Sequence, residues 1–229
     1  MRKIDIVRLT AHRIAPQQLY LGRVAKSHAR DVIATIELDE FMSLRRAARD
    51  RSLALNALKY FNIDSYMPVH VKRALLLEVH GNRTKNILDI GTGFGYFPYV
   101  CQFFGGGVIA AIDVPGHQLF DDVTNFLGID KVHHRLTPFE KLPEFADKFD
   151  LVTASQVAFN RYTTEKPWGS AEWSFLLEDL RDNVLGGNGE VYFELNYDHH
   201  LGSWYSKEVI QQLKAYNAKI SAGHVHIKW

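Results

Sequence analysis

The sequence predicts an open, doubly wound α/β sheet, mostly parallel, that follows a helical extension. Three observations predict this fold class. From residue 85 onward, short β-rich apolar runs alternate with helix-compatible segments, the runs are almost continuously apolar, and the preceding residues show no such alternation. Strands that read as continuous apolar runs are buried on both faces, and helices between consecutive strands make those strands parallel.

The helical extension is predicted over residues 1–82 and the sheet domain over residues 83–229. Residues 29–60 contain no glycine or proline, and their apolar side chains recur at helical spacing. This stretch predicts one long helix or two helices joined near Arg51. A further helix is predicted to begin near Pro68, a residue suited to a first helical turn, and to stop at Gly81.

The elements of the sheet domain follow from the same alternation. Parallel strands are predicted at residues 86–90, 108–114, 131–136, 149–154 and 190–195. Helices are predicted at residues 94–104, 117–127, 170–185 and 206–217. Residues 220–229 alternate between apolar and polar and predict a single last edge strand, which can be antiparallel.

Composition narrows the function. The chain has 229 residues, with 27 Lys and Arg against 26 Asp and Glu. Non-specific nucleic-acid binding needs a basic field that this balance lacks, so a small or neutral partner is expected instead. The single cysteine, Cys101, excludes an internal disulfide and a zinc site with two thiolates of this chain. No apolar run approaches the ~20 residues of a membrane span, so a soluble, cytoplasmic protein is expected.

A glycine-rich turn is the sharpest motif. In Asn86-Ile-Leu-Asp-Ile-Gly-Thr-Gly-Phe-Gly-Tyr-Phe, a predicted strand runs through the turn directly into a helix. Glycines there remove the Cβ atoms that would keep a ligand from the backbone, and the helix start offers free N–H groups. The alternative is a tightly packed turn without a ligand.

An acidic residue supports the interpretation of the turn as a ligand site. Asp113 ends the second predicted strand, 22 residues beyond Gly91. An acid at that place can accept hydrogen bonds from both hydroxyls of a ribose, and a helix cap is the alternative. Together the turn and Asp113 predict an adenosine-like ligand across the carboxyl ends of the first two strands.

The glycine spacing distinguishes between ligands. The turn reads G-x-G-x-G, whereas the dinucleotide fingerprint is G-x-G-x-x-G, and Tyr96 stands where the third glycine would be. The segment Asp89-Ile-Gly-Thr-Gly-Phe-Gly resembles the first motif of the class I S-adenosylmethionine-dependent methyltransferases. The resemblance covers residues 85–197, about half of the chain. It implies a Rossmann-like sheet of the class I type, S-adenosylmethionine as cofactor and S-adenosylhomocysteine as product.

The resemblance also implies roles for individual residues. The glycine loop would support the methionine end of the cofactor, Asp89 would orient its amino group, and Asp113 would hold the ribose. Lys148-Phe-Asp-Leu-Val-Thr-Ala-Ser resembles the fourth-strand motif, whose end would face the sulfonium. The residues expected to bind the cofactor are Asp89, Gly91, Thr92, Gly93, Phe94, Gly95, Asp113, Val114, Thr137, Phe139 and Ser155.

The adenine contact departs from the family pattern. The family commonly has an acid after the third strand, which meets the adenine amino group, but Thr137 stands in that place here. Three alternatives stay open: the Thr137 hydroxyl, the backbone near Phe139 with its ring packed on the base, and Glu140. The missing acid also motivates a rival hypothesis, a non-catalytic cofactor-binding scaffold. A nucleotide-binding oxidoreductase is the other rival.

The acceptor site is expected after the fourth and fifth strands. Methyl transfer is an in-line displacement on an activated carbon, so a base is needed only if the acceptor must lose a proton. His199 or His200 is the candidate base, because imidazole titrates near neutrality, and a solvated polar loop is the alternative. The fourth strand lacks the Asn/Asp-Pro-Pro-aromatic motif of many amino-group methyltransferases, which favours O-methylation of a small-molecule or sugar-like acceptor. The residues expected to bind it are Asn160, Tyr162, Trp168 and Tyr197.

The remaining features carry weaker expectations. The helical extension is predicted to form a lid with Tyr60, Tyr66 and His70, or else a core or homodimer face. His133 and His134 lie on the third predicted strand and are expected to be structural. His224 and His226 share a strand face but lack a third ligand, so no metal is predicted. The family's sheet usually ends in a strand pair, and the single strand expected here predicts a simplified edge or one completed by a partner chain.

Overall fold

Helices occupy the N-terminal part of the described chain. The computed structural model describes residues 14–53, 55–81, 84–161, 166–199 and 201–229. The elements before the sheet are α1 (Ile14–Ile33), α2 (Leu38–Asp50), a 3₁₀ helix (Leu55–Phe61) and α3 (Ile63–Leu76). The predicted helical extension is confirmed, and the predicted domain boundary at residues 82 and 83 lies outside the described residues.

The predicted start of a helix at Pro68 is wrong. Pro68 lies inside α3, which begins at Ile63. Proline lacks a backbone N–H and is disfavoured within a helix. Here burial of Ile63, Met67 and Val71, which recur at four-residue spacing, outweighs that local preference.

The predicted strands and helices of the sheet domain occur in the predicted order, together with short strands that were not predicted. They are β1 (Ile87–Ile90), α4 (Tyr96–Phe103), β2 (Ile109–Asp113), α5 (Gln118–Phe126), β3 (Lys131–His133), β4 (Phe149–Ser155), β5 (Asn160–Arg161), β6 (Lys166–Pro167), α6 (Ser170–Asp179), a π-helical turn (Leu180–Val184), β7 (Leu185–Glu194), α7 (Lys207–Ala215), β8 (Lys219–Ser221) and β9 (His224–Lys228). Strands β5 and β6 form a separate two-stranded sheet. No helix in the described ranges is both long enough and apolar enough to span a membrane.

The main sheet has seven strands in the order β3-β2-β1-β4-β7-β9-β8. The first five are mutually parallel, and β9 is antiparallel to both of its neighbours. All residues of β1 and β2 are buried, as continuous apolar runs predict. The doubly wound, mostly parallel α/β fold is therefore confirmed.

The predicted single last strand is wrong, because the chain ends in the hairpin of β8 and β9. The turn between them places Ala222 at φ 49°, a left-handed conformation that alanine seldom adopts. Only Gly223 signals this turn in the sequence, so the two short strands read as one. The sheet therefore ends in an antiparallel strand pair within this chain, and the expected simplified or partner-completed edge is also wrong.

The helical extension shares a core with the sheet domain. The ring of Phe41, on α2, lies 4.9 Å from that of Phe61, 5.9 Å from that of Phe126 and 6.4 Å from that of Tyr96. Phe126 and Tyr96 belong to helices of the sheet domain. This packing joins the helical extension to helices α4 and α5 of the sheet domain.

One buried hydrogen bond joins the two parts, and its removal is expected to cost about 1 kcal/mol in a Tyr96→Phe variant. The Tyr96 hydroxyl donates to the backbone carbonyl of Tyr60 at 2.7 Å, and burial raises the pKa of this phenol. The variant leaves that carbonyl without its donor. Urea denaturation measures the loss. The control is Tyr99→Phe, which removes an exposed hydroxyl bonded to Thr35; equal losses in both variants would contradict the prediction.

Candidate functional site

The turn after β1 owes its glycine spacing to the backbone. Gly91, Gly93 and Gly95 have φ values of 70°, 57° and 76°. Left-handed φ values strain residues with a side chain and suit glycine. A Cβ atom on Gly91 would lie 2.4 Å from Cγ2 of Val157, and one on Gly95 would lie 3.0 Å from Cγ2 of Thr124. Every second residue of the turn therefore requires glycine.

Asp113 ties the turn to the next strand. Its Oδ2 accepts a hydrogen bond from the Gly93 N–H at 2.8 Å, and its Oδ1 accepts one from the Val114 N–H at 2.8 Å. The helix-cap alternative does not describe its role, because His117 is the N-cap residue of α5. A carboxylate has about four acceptor positions, so Asp113 keeps capacity for a ligand.

A cavity of about 640 Å³ opens at the carboxyl ends of β1, β2, β4 and β7. This volume lies within the range of small-molecule sites. The predicted cofactor residues that line it are Asp89, Gly91, Thr92, Gly93, Phe94, Asp113, Val114 and Ser155, and Asn160 is the predicted acceptor residue that does so. The helical extension contributes Tyr60, Tyr66, Val69, His70 and Arg73.

Asp89 is a buried carboxyl at the floor of the cavity. It is 4% exposed, and its Oδ1 accepts a hydrogen bond from the hydroxyl of Thr153, its neighbour on β4, at 2.6 Å. Burial raises the pKa of Asp89 to about 6, although Thr153 and Arg73 act in the opposite direction. A carboxyl that is costly to ionise, placed in a cavity, is typical of functional sites.

Asp89→Asn is therefore expected to stabilise the protein by about 2–3 kcal/mol near neutral pH. The pKa of Asp89 is higher in the folded than in the unfolded chain. The contribution of neutral Asp89 to the free energy of unfolding is fully present below about pH 4 and is lost as the pH rises through about 6. Asparagine keeps an oxygen that accepts the hydrogen bond from the Thr153 hydroxyl. It does not ionise, so the variant does not lose this stability as the pH rises.

Urea denaturation at several pH values measures this difference. The gain should shrink as the pH falls through about 6 and approach zero below about pH 4, where Asp89 is neutral in both the folded and the unfolded chain. The matched control is Asp182→Asn, at an exposed carboxylate paired with Arg181. A pH-independent gain in Asp89→Asn would show that ionisation of Asp89 is not its cause.

Arg73 links His70 and Glu194, two other residues that line the cavity. Its guanidinium, 8% exposed, donates to Oε2 of Glu194 at 2.6 Å and to Nδ1 of His70 at 3.1 Å. Arginine can only donate, so Nδ1 of His70 accepts and the neutral ring carries its hydrogen on Nε2. Burial and the charge of Arg73 lower the pKa of His70 well below its usual value. His70 is thus a neutral hydrogen-bond donor and not a base.

Three buried polar atoms of the cavity residues have no hydrogen-bond partner within the described chain. They are Oγ1 of Thr92, Nε2 of His134 and Oγ of Ser155. A buried polar group left unpaired costs about 1–3 kcal/mol. A ligand that supplies partners to these atoms would recover that free energy, so the cavity is suited to a polar ligand.

Several predicted cofactor residues lie outside the cavity lining. Gly95 is the N-cap residue of α4 and packs against Thr124. Phe139 is 57% exposed at φ 63°, with its ring 5.9 Å from that of Phe175, and Thr137 is exposed. His134, Arg135 and Leu136 line the cavity after β3 instead. The reason is that β3 ends at His133, three residues before the predicted end.

The predicted acceptor and base residues are scattered. Trp168 is 5% exposed and packs against Phe159 in the core, with its Nε1–H donating to the Asn160 carbonyl at 2.7 Å. Tyr197 and His199 are exposed, with ring centroids 5.2 Å apart, and neither lines the cavity. Tyr162 and His200 lie outside the described residues. Of the members of this set that the structure describes, Asn160 lines the cavity and Trp168, Tyr197 and His199 do not.

A sequence pattern on α3 indicates the residues that line the cavity on that side, and the sequence-based prediction of the site did not use it. Tyr66, Val69, His70 and Arg73 recur at three- and four-residue spacing on α3, so they share one helix face. Two aromatic or heterocyclic rings and a cation on a face that must pack over a sheet indicate a lined cavity. Tyr66 and His70 were expected in a lid. The ion pair between Arg73 and Glu194 was not predicted.

Three further histidines, all on strands, have hydrogen-bond partners in the protein. His133 Nε2 pairs with Oδ1 of Asp121 at 2.8 Å, His224 Nδ1 with the Tyr192 hydroxyl at 2.8 Å, and His226 Nε2 with Oε2 of Glu190 at 2.9 Å. Among the described residues, no group of three His, Cys, Asp or Glu is arranged to hold a metal ion. These rings therefore contribute to local structure.

The strand order, with a reversal between β1 and β4 and the last strand pair antiparallel, is that of a doubly wound sheet. The chain has a Rossmann-like α/β fold. No protein-family model matches the chain, and no curated protein matches it.

Among solved structures, similarity is found to a ribosomal protein methylase from Lactobacillus delbrueckii subsp. bulgaricus, with 18% identity, a TM-score of 0.45, and 70% of this chain and 77% of that chain covered. A SAM-dependent methyltransferase from Aquifex aeolicus is 20% identical, with a TM-score of 0.45 over 67% of this chain and 87% of that one. An amino pentose methyltransferase from Micromonospora echinaspora, solved with SAM bound, is 14% identical, with a TM-score of 0.44 over 58% of this chain and 51% of that one. This chain thus matches about half the length of the last protein.

Proposed function

We propose that the protein is an S-adenosylmethionine-dependent methyltransferase whose cofactor binds in the cavity at the strand ends. The observation that carries this proposal is the Asp113 carboxylate, held between the N–H groups of Gly93 and Val114 beside a turn of left-handed glycines. A carboxylate fixed at the end of β2 suits a ribose with two hydroxyls. The turn beside it leaves room for the chain that leads from the ribose to the sulfur.

The residues of the cavity fit the groups of this cofactor. Asp89, when ionised, can accept hydrogen bonds from an α-ammonium group, and Asp113 can accept them from ribose hydroxyls. Ile112, Val114 and Leu136 supply apolar surface on the side of β2 and β3. The unpaired Ser155 hydroxyl lies at the end of β4, beside the expected position of the sulfonium.

The fingerprint argues against a dinucleotide. The third glycine of that motif allows close packing at the helix start, where pyrophosphate binds. Here Tyr96 occupies the first position of α4, and its side chain is 2% exposed and packed against the helical extension. A sulfur nucleoside, without a pyrophosphate, needs no glycine at that position.

The acceptor end of the cavity contains a carboxylate close to the expected methyl group. Glu194 ends β7 and is the register partner of Ser155 on β4. Bound cofactor supplies a methyl group on a sulfonium, and the acceptor's lone pair forms the new bond as the carbon–sulfur bond breaks. Glu194 is suited to take the proton that a hydroxyl loses in this step. Glu194 lines the cavity, whereas His199 does not. We therefore assign the role of general base to Glu194.

The same wall orients the acceptor. The Nε2–H of His70 is a hydrogen-bond donor next to Arg73 and Glu194. The rings of Tyr60 and Tyr66, with centroids 5.0 Å apart, add aromatic edges with hydroxyl groups. Such a mixed aromatic and polar lining suits a small molecule with hydroxyl groups, including a sugar-like one. We therefore propose O-methylation of a small-molecule acceptor.

Calorimetric titration with S-adenosylmethionine, S-adenosylhomocysteine and NADH tests the cofactor assignment. Binding of both sulfur nucleosides without binding of NADH is the expected result. Binding of NADH alone would support an oxidoreductase, and binding of none of the three would overturn the proposal. Turnover of S-adenosylmethionine to S-adenosylhomocysteine with a panel of hydroxylated small molecules then separates an enzyme from a non-catalytic scaffold.

A further inference from the structure

We propose that His134 recognises the 6-amino group of adenine, in the place where a carboxylate is expected after the third strand. This proposal rests on the proposed function, since it assumes an adenosine ligand in the cavity. It differs from the sequence-based alternatives, which put the contact at Thr137, Phe139 or Glu140.

The strand order locates the base. From the centre of the sheet outward, the strands run β4, β1, β2 and β3, with neighbours about 4.8 Å apart. The carboxyl groups for the amino-acid end and the ribose lie on β1 and β2, at Asp89 and Asp113. A base attached to that ribose continues in the same direction and reaches the end of β3. The cavity residues there are His134, Arg135 and Leu136.

The backbone fixes His134 beside the ribose site. Its N–H donates to the Asp113 carbonyl at 2.9 Å, so it continues the ladder between β2 and β3 by one residue. Its side chain and the Asp113 carboxylate, which is expected to bind the ribose, line the same cavity. Adenine is bonded directly to the ribose, so a base on a ribose held by Asp113 would lie near the end of β3, where His134 is.

The imidazole of His134 has an unused polar atom at this place. Its Nε2 is buried without a partner in the described chain, and the residue lines the cavity. The adjacent His133 shows the contrast, because its Nε2 is satisfied by Asp121 at 2.8 Å and it does not line the cavity. A ring with its hydrogen on Nδ1 accepts at Nε2, as a carboxylate oxygen would, and can therefore take an N–H from the adenine amino group.

The test is a double-mutant cycle between protein and ligand. Wild type and His134→Phe are titrated with S-adenosylhomocysteine and with its analogue that has purine in place of adenine. Phenylalanine keeps a ring but removes Nε2. We expect the variant to bind S-adenosylhomocysteine about tenfold more weakly, and to bind the purine analogue with nearly wild-type affinity. The two single changes should thus be strongly non-additive.

His134→Gln, which retains an acceptor oxygen, is expected to bind more tightly than His134→Phe and to preserve selectivity for the 6-amino group. His133→Phe is the matched control and should leave both affinities unchanged. Thermal unfolding of each variant verifies that it is folded, and if His134→Phe is not, the glutamine variant and its ligand cycle decide the question.

Three results would overturn the proposal. Equal losses for both ligands would show that His134 supports the site without contacting the amino group. Unchanged affinity for S-adenosylhomocysteine in a folded His134→Phe variant would exclude any contact with the base. Failure of the wild type to bind S-adenosylhomocysteine would overturn the proposed function itself, and with it this inference.

Discussion

Asp113→Ala is expected to weaken the binding of S-adenosylhomocysteine about 100- to 1000-fold. A hydrogen bond to a charged group contributes about 1.5–3 kcal/mol, and two ribose hydroxyls can donate to this carboxylate. Its orientation is fixed before binding by the N–H groups of Gly93 and Val114, so little ordering is needed when the ligand arrives. The variant also removes the tether between the glycine turn and β2.

Calorimetric titration measures the effect, and a modified ligand separates its two causes. The 2′,3′-dideoxy analogue of S-adenosylhomocysteine cannot donate from the ribose. Wild type and Asp113→Ala should therefore bind this analogue with similar affinities if the hydroxyl contacts dominate. A large loss with the analogue would assign the effect to the turn and not to the ribose. Asp182→Ala, at an exposed carboxylate, should leave every affinity unchanged.

The parallel part of the sheet was predictable because its signals are local. Strands buried on both faces are almost continuously apolar, and β1, β2 and β4 each read that way. The parallel pairing also followed, because helices connect consecutive strands. The hairpin of β8 and β9 was missed, since its turn uses a left-handed alanine that no composition rule marks.

The side of the cavity that the glycine turn and Asp113 line was predictable for the same reason. The turn and Asp113 lie at strand ends whose positions the apolar runs determine, and both line the cavity. The side at the end of β3 was less predictable, because β3 has only three residues and its end was placed too late. A shift of three residues separates His134, which lines the cavity, from Thr137, where the contact was expected.

The side of the cavity that α3 and Glu194 line depends on tertiary packing. Arg73 and Glu194 are 121 residues apart, and no local pattern pairs them. After β7 the chain does not remain at the cavity, because Asp198 and Ser203 form an antiparallel bridge that turns the segment of His199 back on itself. Polar residues after a strand therefore predict a site only where the following chain stays over the strand end.

Several polar groups of the cavity lower the stability of the folded protein when no ligand is bound. Asp89 is ionised near neutral pH in spite of a raised pKa, and His134 and Ser155 bury atoms without partners. Each feature costs free energy that a bound ligand can offset. Ligand binding should accordingly raise the thermal stability, and the free energy recovered at these groups contributes to that rise by lowering the Kd of the ligand.

Gly91→Ala is expected to destabilise the protein by about 2–4 kcal/mol. Two effects add at this position. Alanine at φ 70° carries the strain of a left-handed residue, and its Cβ would lie 2.4 Å from Cγ2 of Val157. Val157 is β-branched and its χ1 rotation is restricted, so the collision cannot be relieved without moving the backbone that follows β4.

A matched pair of variants separates strain from collision. Gly93 also has a left-handed φ, of 57°, but a Cβ there meets no atom within 4 Å. Gly93→Ala should therefore cost only about 1–2 kcal/mol in urea denaturation. In a Val157→Ala background, the cost of Gly91→Ala should fall towards that of Gly93→Ala, because the colliding methyl group is gone. Equal costs in both backgrounds would show that the contact with Val157 does not select glycine, and that the backbone conformation alone requires it.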